Sequence, residues 1–176
     1  MVSVVISKFK EDVSWAENIE GDLFLYDKSN SKVDGSIPLE NKGRESDTYL
    51  NHIIRNYEKI QSPCAFLQGN PFDHFEFTLD AISSYKSGVV FLGESLTCDF
   101  LGRPHHNGLS VGSAADEIGL KHNSTFNFCA GAQYIVPEGS IKSKPLSWWK
   151  KLKDIHDATP SGPWVFERLW PLIFSE

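Results

Sequence analysis

The stretch from Asn41 to His74, NKGRESDTYLNHIIRNYEKIQSPCAFLQGNPFDH, constrains this chain more than any other. Tyr49, Leu50, Ile53, Ile54 and Tyr57 recur at the three- and four-residue spacing of one helix face, which predicts a helix from Ser46 to Ile60. Cys64-Ala65-Phe66-Leu67 follows without a polar residue, the pattern of a short strand buried on both faces. At its end the chain releases Gln68, Gly69, Asn70, Asp73 and His74 together. Polar residues bunched past the carboxyl end of a buried strand mark a ligand crevice in an open α/β sheet.

The flanking segments extend that pattern. Val2 to Ser7 is β-branched and apolar, as a central strand covered on both faces would be. Lys10-Glu11-Asp12 leads into a loop and short helix at Trp15, Asp22 to Asp27 reads as a second strand, and Ser36 to Leu39 as a short third piece. Lys28 to Ser31 and Asn41 to Glu45 are turns. Beyond the central stretch, Phe75 to Tyr85 suits a helix, Gly88 to Leu92 a strand, and Cys98 to Gly112 a long polar loop. Strand character returns around Gly131 to Val136. Pro145 opens a helix carrying Trp149, Leu152 and Ile155. Ser161 and Pro163 cap and start a last one, whose apolar stripe is Phe166, Leu169, Trp170 and Ile173 and whose regularity Pro171 limits. Strands alternating with helices predict one α/β domain over residues 1–176, with a mostly parallel central sheet flanked by helices on both faces.

Composition narrows the function. The 176 residues are 40% hydrophobic and 12% aromatic, ample for a sizeable core. The net charge is −6, and the basic residues cluster only at Lys150, Lys151 and Lys153, which argues against nucleic acid as a partner. Cys64, Cys98 and Cys129 are an odd set at wide spacing with no CxxC, so they are expected to be buried free thiols. The apolar start, Met1 to Ile6, is too short for a signal peptide core, and no apolar run reaches the ~20 residues of a membrane span. The expectation is a soluble, cytoplasmic protein, in which the sequon Asn123-Ser124-Thr125 is a chance occurrence. GxGxxG, GxxxxGK[ST] and GxSxG motifs are lacking.

Several clusters carry possible chemistry. Gln68, Asn70, Asp73 and His74 offer amide, carboxylate and imidazole groups for a divalent cation or sugar hydroxyls, or else form a capped turn in which Asp73 caps the helix at Phe75. Asp99 with Gly102, Arg103, His105 and His106 suits a metal or a diphosphate, or is a solvated loop. Lys42-Gly43-Arg44-Glu45 at a helix start suits an anion, or is an ordinary first turn. Glu167, beside Arg168 on the last helix, suits a general base among aromatic rings, or is half of an exposed charge pair. The small residues of Gly131-Ala132-Gln133 would let a ligand approach the backbone.

In combination, KEDVSW (10–15), GRESDTY (43–49), FLQG (66–69), GAQ (131–133) and ERLW (167–170) resemble an uncharacterised family, a domain of unknown function. The resemblance covers nearly the whole chain and departs at Lys10, where the family often has Asn. That family's layout is similar in turn to nucleotide-sugar glycosyltransferases of the GT-A fold. The similarity implies that Glu11 and Asp27, at the ends of the first two strands, contact a nucleotide, with Arg44, Gln68 and Asn70 completing the donor site. Gln68-Gly69-Asn70 stands where those enzymes carry a metal-binding Asp-x-Asp, so Asp73 and His74, or Asp99, would have to hold Mn2+ or Mg2+. Gly131, Ala132, Gln133, His105 and His106 would line the acceptor side, and Glu167 or Asp99 would deprotonate the acceptor. The expected function is transfer of a sugar from a nucleotide-sugar to a hydroxyl of a glycan or small molecule. A metal-dependent hydrolase and a non-catalytic carbohydrate- or nucleotide-binding module are the alternatives.

Overall fold

The computed structural model describes residues 1–30, 33–120 and 125–175. Asn123 and Ser124 of the sequon, and Ser31 of the turn after the second strand, lie outside them. The strands are β1 (Ser3–Lys8), β2 (Leu23–Asp27), β3 (Ile37–Pro38), β4 (Cys64–Gln68), β5 (Val90–Phe91), β6 (Ser95–Asp99), β7 (Thr125–Cys129) and β8 (Tyr134–Val136). The helices are α1 (Arg44–Asn56), α2 (Thr78–Ser83), α3 (Val111–Ile118), α4 (Glu138–Lys142), α5 (Leu146–Ala158) and α6 (Gly162–Ser175). Among the described residues no helix is long and apolar enough to cross a membrane.

Six strands form one sheet in the order β3-β2-β1-β4-β8-β5, and β6 and β7 pair separately. β3, β2, β1 and β4 run parallel, whereas β8 is antiparallel to both β4 and β5. The sheet is therefore mixed rather than mostly parallel. β8 enters beside the carboxyl end of β4 and runs back, pairing Tyr134 with Phe66 and Val136 with Cys64.

Alternation along the central strands sorts two cores. Val5, Cys64, Phe66, Tyr134 and Val136 face the larger one, where Tyr49, Leu50 and Ile53 of α1, Trp149 and Leu152 of α5 and Leu169, Trp170 and Ile173 of α6 close over them. Each such side chain contributes about 1.5–3 kcal/mol on burial. Val4, Ile6, Ala65, Leu67 and Ile135 face the other way, against Ala16 in a 3-10 turn (Ser14–Asn18) and the partly buried Ile82 of α2. Both faces are covered, one by long helices and the other by short pieces.

Several boundaries differ from expectation for identifiable reasons. α1 starts at Arg44 because Gly43 and Arg44, with φ of 61° and 47°, turn the chain directly into the helix. It ends at Asn56, followed by a 3-10 turn over Tyr57–Lys59. Another 3-10 turn, Pro71–Asp73, precedes the segment expected to be a helix from Phe75 to Tyr85; α2 covers only Thr78–Ser83 of it, and Phe77 is exposed. Asp73 is inside that turn rather than capping a helix. The polar loop is shorter than expected, because β6 includes Cys98 and Asp99 and α3 begins at Val111. Of the strand expected around Gly131 to Val136 only Tyr134–Val136 is strand; Gly131-Ala132-Gln133 lies in the turn that joins it to β7.

Pro171 does not interrupt α6. It has no N–H to give the Glu167 carbonyl one turn back. The Tyr134 hydroxyl donates to that carbonyl instead, at 3.3 Å.

Candidate functional site

The chain lays down β1, β2 and β3 to one side and then crosses through α1 to place β4 on the other side of β1. Such a switch point opens a crevice past the carboxyl ends of the strands. The side next to β1 is packed. Glu11 Oε2 accepts the N–H groups of Phe9 and Lys10 and sits where a side chain at Gly69 would have to go, 2.6 Å from its Cβ. Trp15 Nε1 donates to the Gly69 carbonyl at 2.9 Å.

A pocket of about 70 Å3 remains past the end of β4. β4 supplies Gln68, with His74 a few residues on; α1 supplies Arg44 and Glu45; the turn before β8 supplies Gly131; α6 supplies Pro163, Trp164 and Glu167.

Each wall has its own support. Beneath the start of α1, Lys28, just past β2, is buried and donates through Nζ to the carbonyls of Lys42 (2.6 Å) and Arg44, which fixes the left-handed turn. Burial lowers the Lys28 pKa, and Asp47, 3.3 Å away, works against that. Lys153 reaches the other Asp47 oxygen at 3.1 Å. Trp170 Nε1 donates to Ser46 Oγ at 3.2 Å and ties the same turn to α6. Glu45 is 9% exposed. Burial pushes its carboxyl pKa up; its own backbone N–H and Arg44 oppose the shift, and Glu167 adds to it. The Arg44 guanidinium lies 5.5 Å over the exposed Trp164 ring.

Glu167 is fixed at several points. Oε1 accepts the Gly131 N–H at 2.8 Å, and Oε2 lies 3.2 Å from Arg168 Nη1. Both partners can only donate, which suits a carboxylate. Arg168 is 3% exposed, donates to the Trp164 carbonyl at 2.7 Å and lies 4.6 Å over the Phe128 ring. The Glu167–Arg168 pair is therefore an inward-facing brace and not a surface charge pair.

Gln68 Nε2 donates to the Gly131 carbonyl at 2.7 Å, and its backbone N–H goes to Gln133 Oε1 at 3.0 Å. Gly131 has φ of 84°, and a Cβ there would lie 2.5 Å from His74 Cγ. Only glycine gives His74 its place against this turn.

The pocket thus gathers Arg44, Gln68, His74, Gly131 and Glu167 from the expected set. The others stand apart. Gln133 is fully buried behind the turn, its amide nitrogen bonded to the carbonyls of Pro71 and Leu92, and Ala132 is buried beside it. Asn70 precedes the 3-10 turn that contains the exposed Asp73. Asp27 is buried and takes the N–H and hydroxyl of Ser29. Asp99 accepts the N–H groups of Leu101 and Arg103 and pairs with Arg103 Nε at 2.7 Å. His105 bonds the Thr97 carbonyl through Nε2, at 3.1 Å, whereas His106 packs 6.0 Å from the Trp164 ring, at the pocket's edge. Trp164 was not among the expected site residues, and Glu45 was named only within the helix start that suits an anion; the aromatic beside Pro163 and the glycine-arginine-acid helix start were their sequence signals.

Other nucleophiles and ligands fare poorly. Cys64, Cys98 and Cys129 are buried free thiols, and burial pushes Cys64 and Cys129 up to about 12 and Cys98 to about 11. Among the described residues no three His, Cys, Asp or Glu side chains are grouped to hold a metal ion. Asp73 and His74 are adjacent and exposed, and among the described residues no third such side chain joins them. The geometry instead offers a buried acid and a braced carboxylate across a small polar pocket, with a cation and an indole at its rim.

Comparison with curated proteins and with solved structures gave no match. A family match was found, and it covers KEDVSW, GRESDTY and FLQG, with GAQ and ERLW beyond its end. The family described as "Protein of unknown function (DUF3431)" matches residues 4–88, from β1 through α2.

Proposed function

We propose that this protein transfers a sugar from a nucleotide-sugar to an acceptor hydroxyl, in a GT-A-like domain. The observation that carries the proposal is the meeting of Arg44, Gln68, His74, Gly131 and Glu167 in one pocket past the carboxyl end of β4. The residues come from segments more than a hundred positions apart in sequence. A helix-borne carboxylate against a glycine turn is in keeping with the resemblance to nucleotide-sugar transferases.

In this reading Glu167 is the general base. Gly131 and Arg168 hold its carboxylate in one orientation, so it meets the acceptor hydroxyl without a search through rotamers. The α1 amino terminus has no side-chain cap, and Arg44 stands beside it. Together they offset charge on the departing diphosphate. The Trp164 ring offers an apolar face to the sugar. No step uses a metal ion.

A thermal-shift panel of nucleotide-sugars, with and without Mn2+, tests this. A true donor present at about 100 times its dissociation constant stabilises the fold by about 2.7 kcal/mol, a rise of about 5–11 °C at this chain length. The shift is expected without Mn2+. If no nucleotide-sugar moves the melting temperature in either condition, the proposal fails.

A further inference from the structure

Glu45 has no part in the transfer chemistry above, yet it lines the same pocket as Glu167. It is 9% exposed, so an ionised carboxylate there would be largely out of water. The groups that face it are Arg44 and Tyr49 on its own helix, Lys28 behind the turn and Glu167 on α6. His74 lines the same pocket, and Arg168 is engaged with Glu167. Arg44 Nε is 3.5 Å from Glu45 Oε2, and the arginine side chain is 56% exposed, a weak restraint on the charge.

Glu45 and Glu167 line one small pocket, where charge on one disfavours charge on the other. The Gly131 N–H and Arg168 donate to Glu167, whereas Glu45 has only its own backbone N–H and the half-exposed Arg44, so the buried Glu45 is the better placed of the two to hold a proton. An entering diphosphate adds negative charge and strengthens that preference. The upward shift of the Glu45 carboxyl acts in the same direction.

We propose that Glu45 enters the reaction as a carboxylic acid and gives its proton to the phosphate oxygen of the departing nucleoside diphosphate. The inference rests on the glycosyl-transfer reading above. The bond between the anomeric carbon and that oxygen breaks, its electron pair stays on the oxygen, and the Glu45 proton goes to it. The acceptor oxygen bonds to the anomeric carbon and loses its proton to Glu167. After the products leave, one proton passes from Glu167 to Glu45 through water in the pocket, and the site is reset. A neutral acid thereby stands where the resembled enzymes use a cation, in a chain that has amides at Gln68 and Asn70.

The test is calorimetric binding of uridine diphosphate and guanosine diphosphate to the wild-type protein and Glu45→Gln, from about pH 6 to about pH 9. Titration of the ligand's own phosphate is common to both proteins and cancels in their ratio. The amide donates at every pH, so wild-type affinity should fall relative to the variant by about tenfold per pH unit once Glu45 ionises. Parallel curves would overturn this inference and leave the transfer reading standing. If neither diphosphate binds either protein, both readings fall. Should Glu45→Gln not fold, carbon-13 NMR of the Glu45 carboxyl in the wild-type complex decides: a protonated carboxyl near neutral pH supports the inference, an ionised one refutes it.

Discussion

Replacing Lys28 with Met asks whether the site depends on the buried cation beneath the α1 turn. The Lys28 side chain is 3% exposed and that of Asp47 2%, so neither can turn to water without unpacking. The substitution removes donors to the Lys42 and Arg44 carbonyls and one of the two cations beside Asp47. Removing one partner of a buried pair costs about 3–5 kcal/mol. Lys153 stays 3.1 Å from Asp47 and offsets part of the exposed charge, which puts the expected cost near the lower end, about 3 kcal/mol. For a chain of 176 residues that is a fall in melting temperature of about 6–12 °C by circular dichroism. The double variant Lys28→Met/Asp47→Leu should regain about half of the loss, because the stranded carboxylate is gone and Lys153 still pairs with Asp157. The single variant should also lose its thermal response to a bound nucleotide-sugar, since Arg44 and Glu45 ride on the freed turn. A Lys28→Met protein that melts within about 2 °C of wild type would refute the reasoning.

Gly131→Ala forces a side chain into the left-handed region and into the His74 ring; it should cost about 1–2 kcal/mol in a urea melt, and a wild-type melt would contradict the turn described here. His52 lies among Phe24, Tyr26 and Phe66, and burial lowers its pKa from 6.5 to about 4. Below its ordinary value the unfolded chain takes up a proton that the folded one refuses, so stability is lost as pH falls from 6.5 to about 4, by about 3 kcal/mol. Urea melts at about pH 7 and about pH 4.5 should show His52→Gln losing less with acid than wild type, and equal losses would exclude this cause.

The parts of the fold that were legible in sequence are those with one dominant pattern. Val4, Val5 and Ile6 in β1 and Ala65, Phe66 and Leu67 in β4 are apolar on both faces because helices and turns cover both. α1, α5 and α6 show their core stripes at helical spacing. The direction of β8 was not legible, because residue spacing says nothing about which edge of the sheet a strand enters from. α3, Val-Gly-Ser-Ala-Ala-Asp-Glu-Ile, is short and rich in small residues, so its periodicity was hidden beside a polar loop.

The site shows the same limit. Gln68, His74, Gly131, Arg44 and Glu167 each carried a local signal, but their convergence depends on β8 returning along β4 and on Tyr134 anchoring the α6 backbone. Arg168 could be read as half of an exposed charge pair, and Glu45 as part of an ordinary first turn, because a buried charge has no signature until its partners are known. Arg168 is explained only by the Phe128 ring, the Trp164 carbonyl and Glu167 around it.

The central claim is that Glu167, braced by Gly131 and Arg168, removes the acceptor proton. The direct measurement is release of nucleoside diphosphate from a bound nucleotide-sugar by wild type and Glu167→Gln, with affinity measured on the same samples. Turnover should fall by about two to four orders of magnitude in the variant while affinity stays near that of wild type. Turnover unchanged by the substitution, or bound donor with no turnover in either protein, would contradict it.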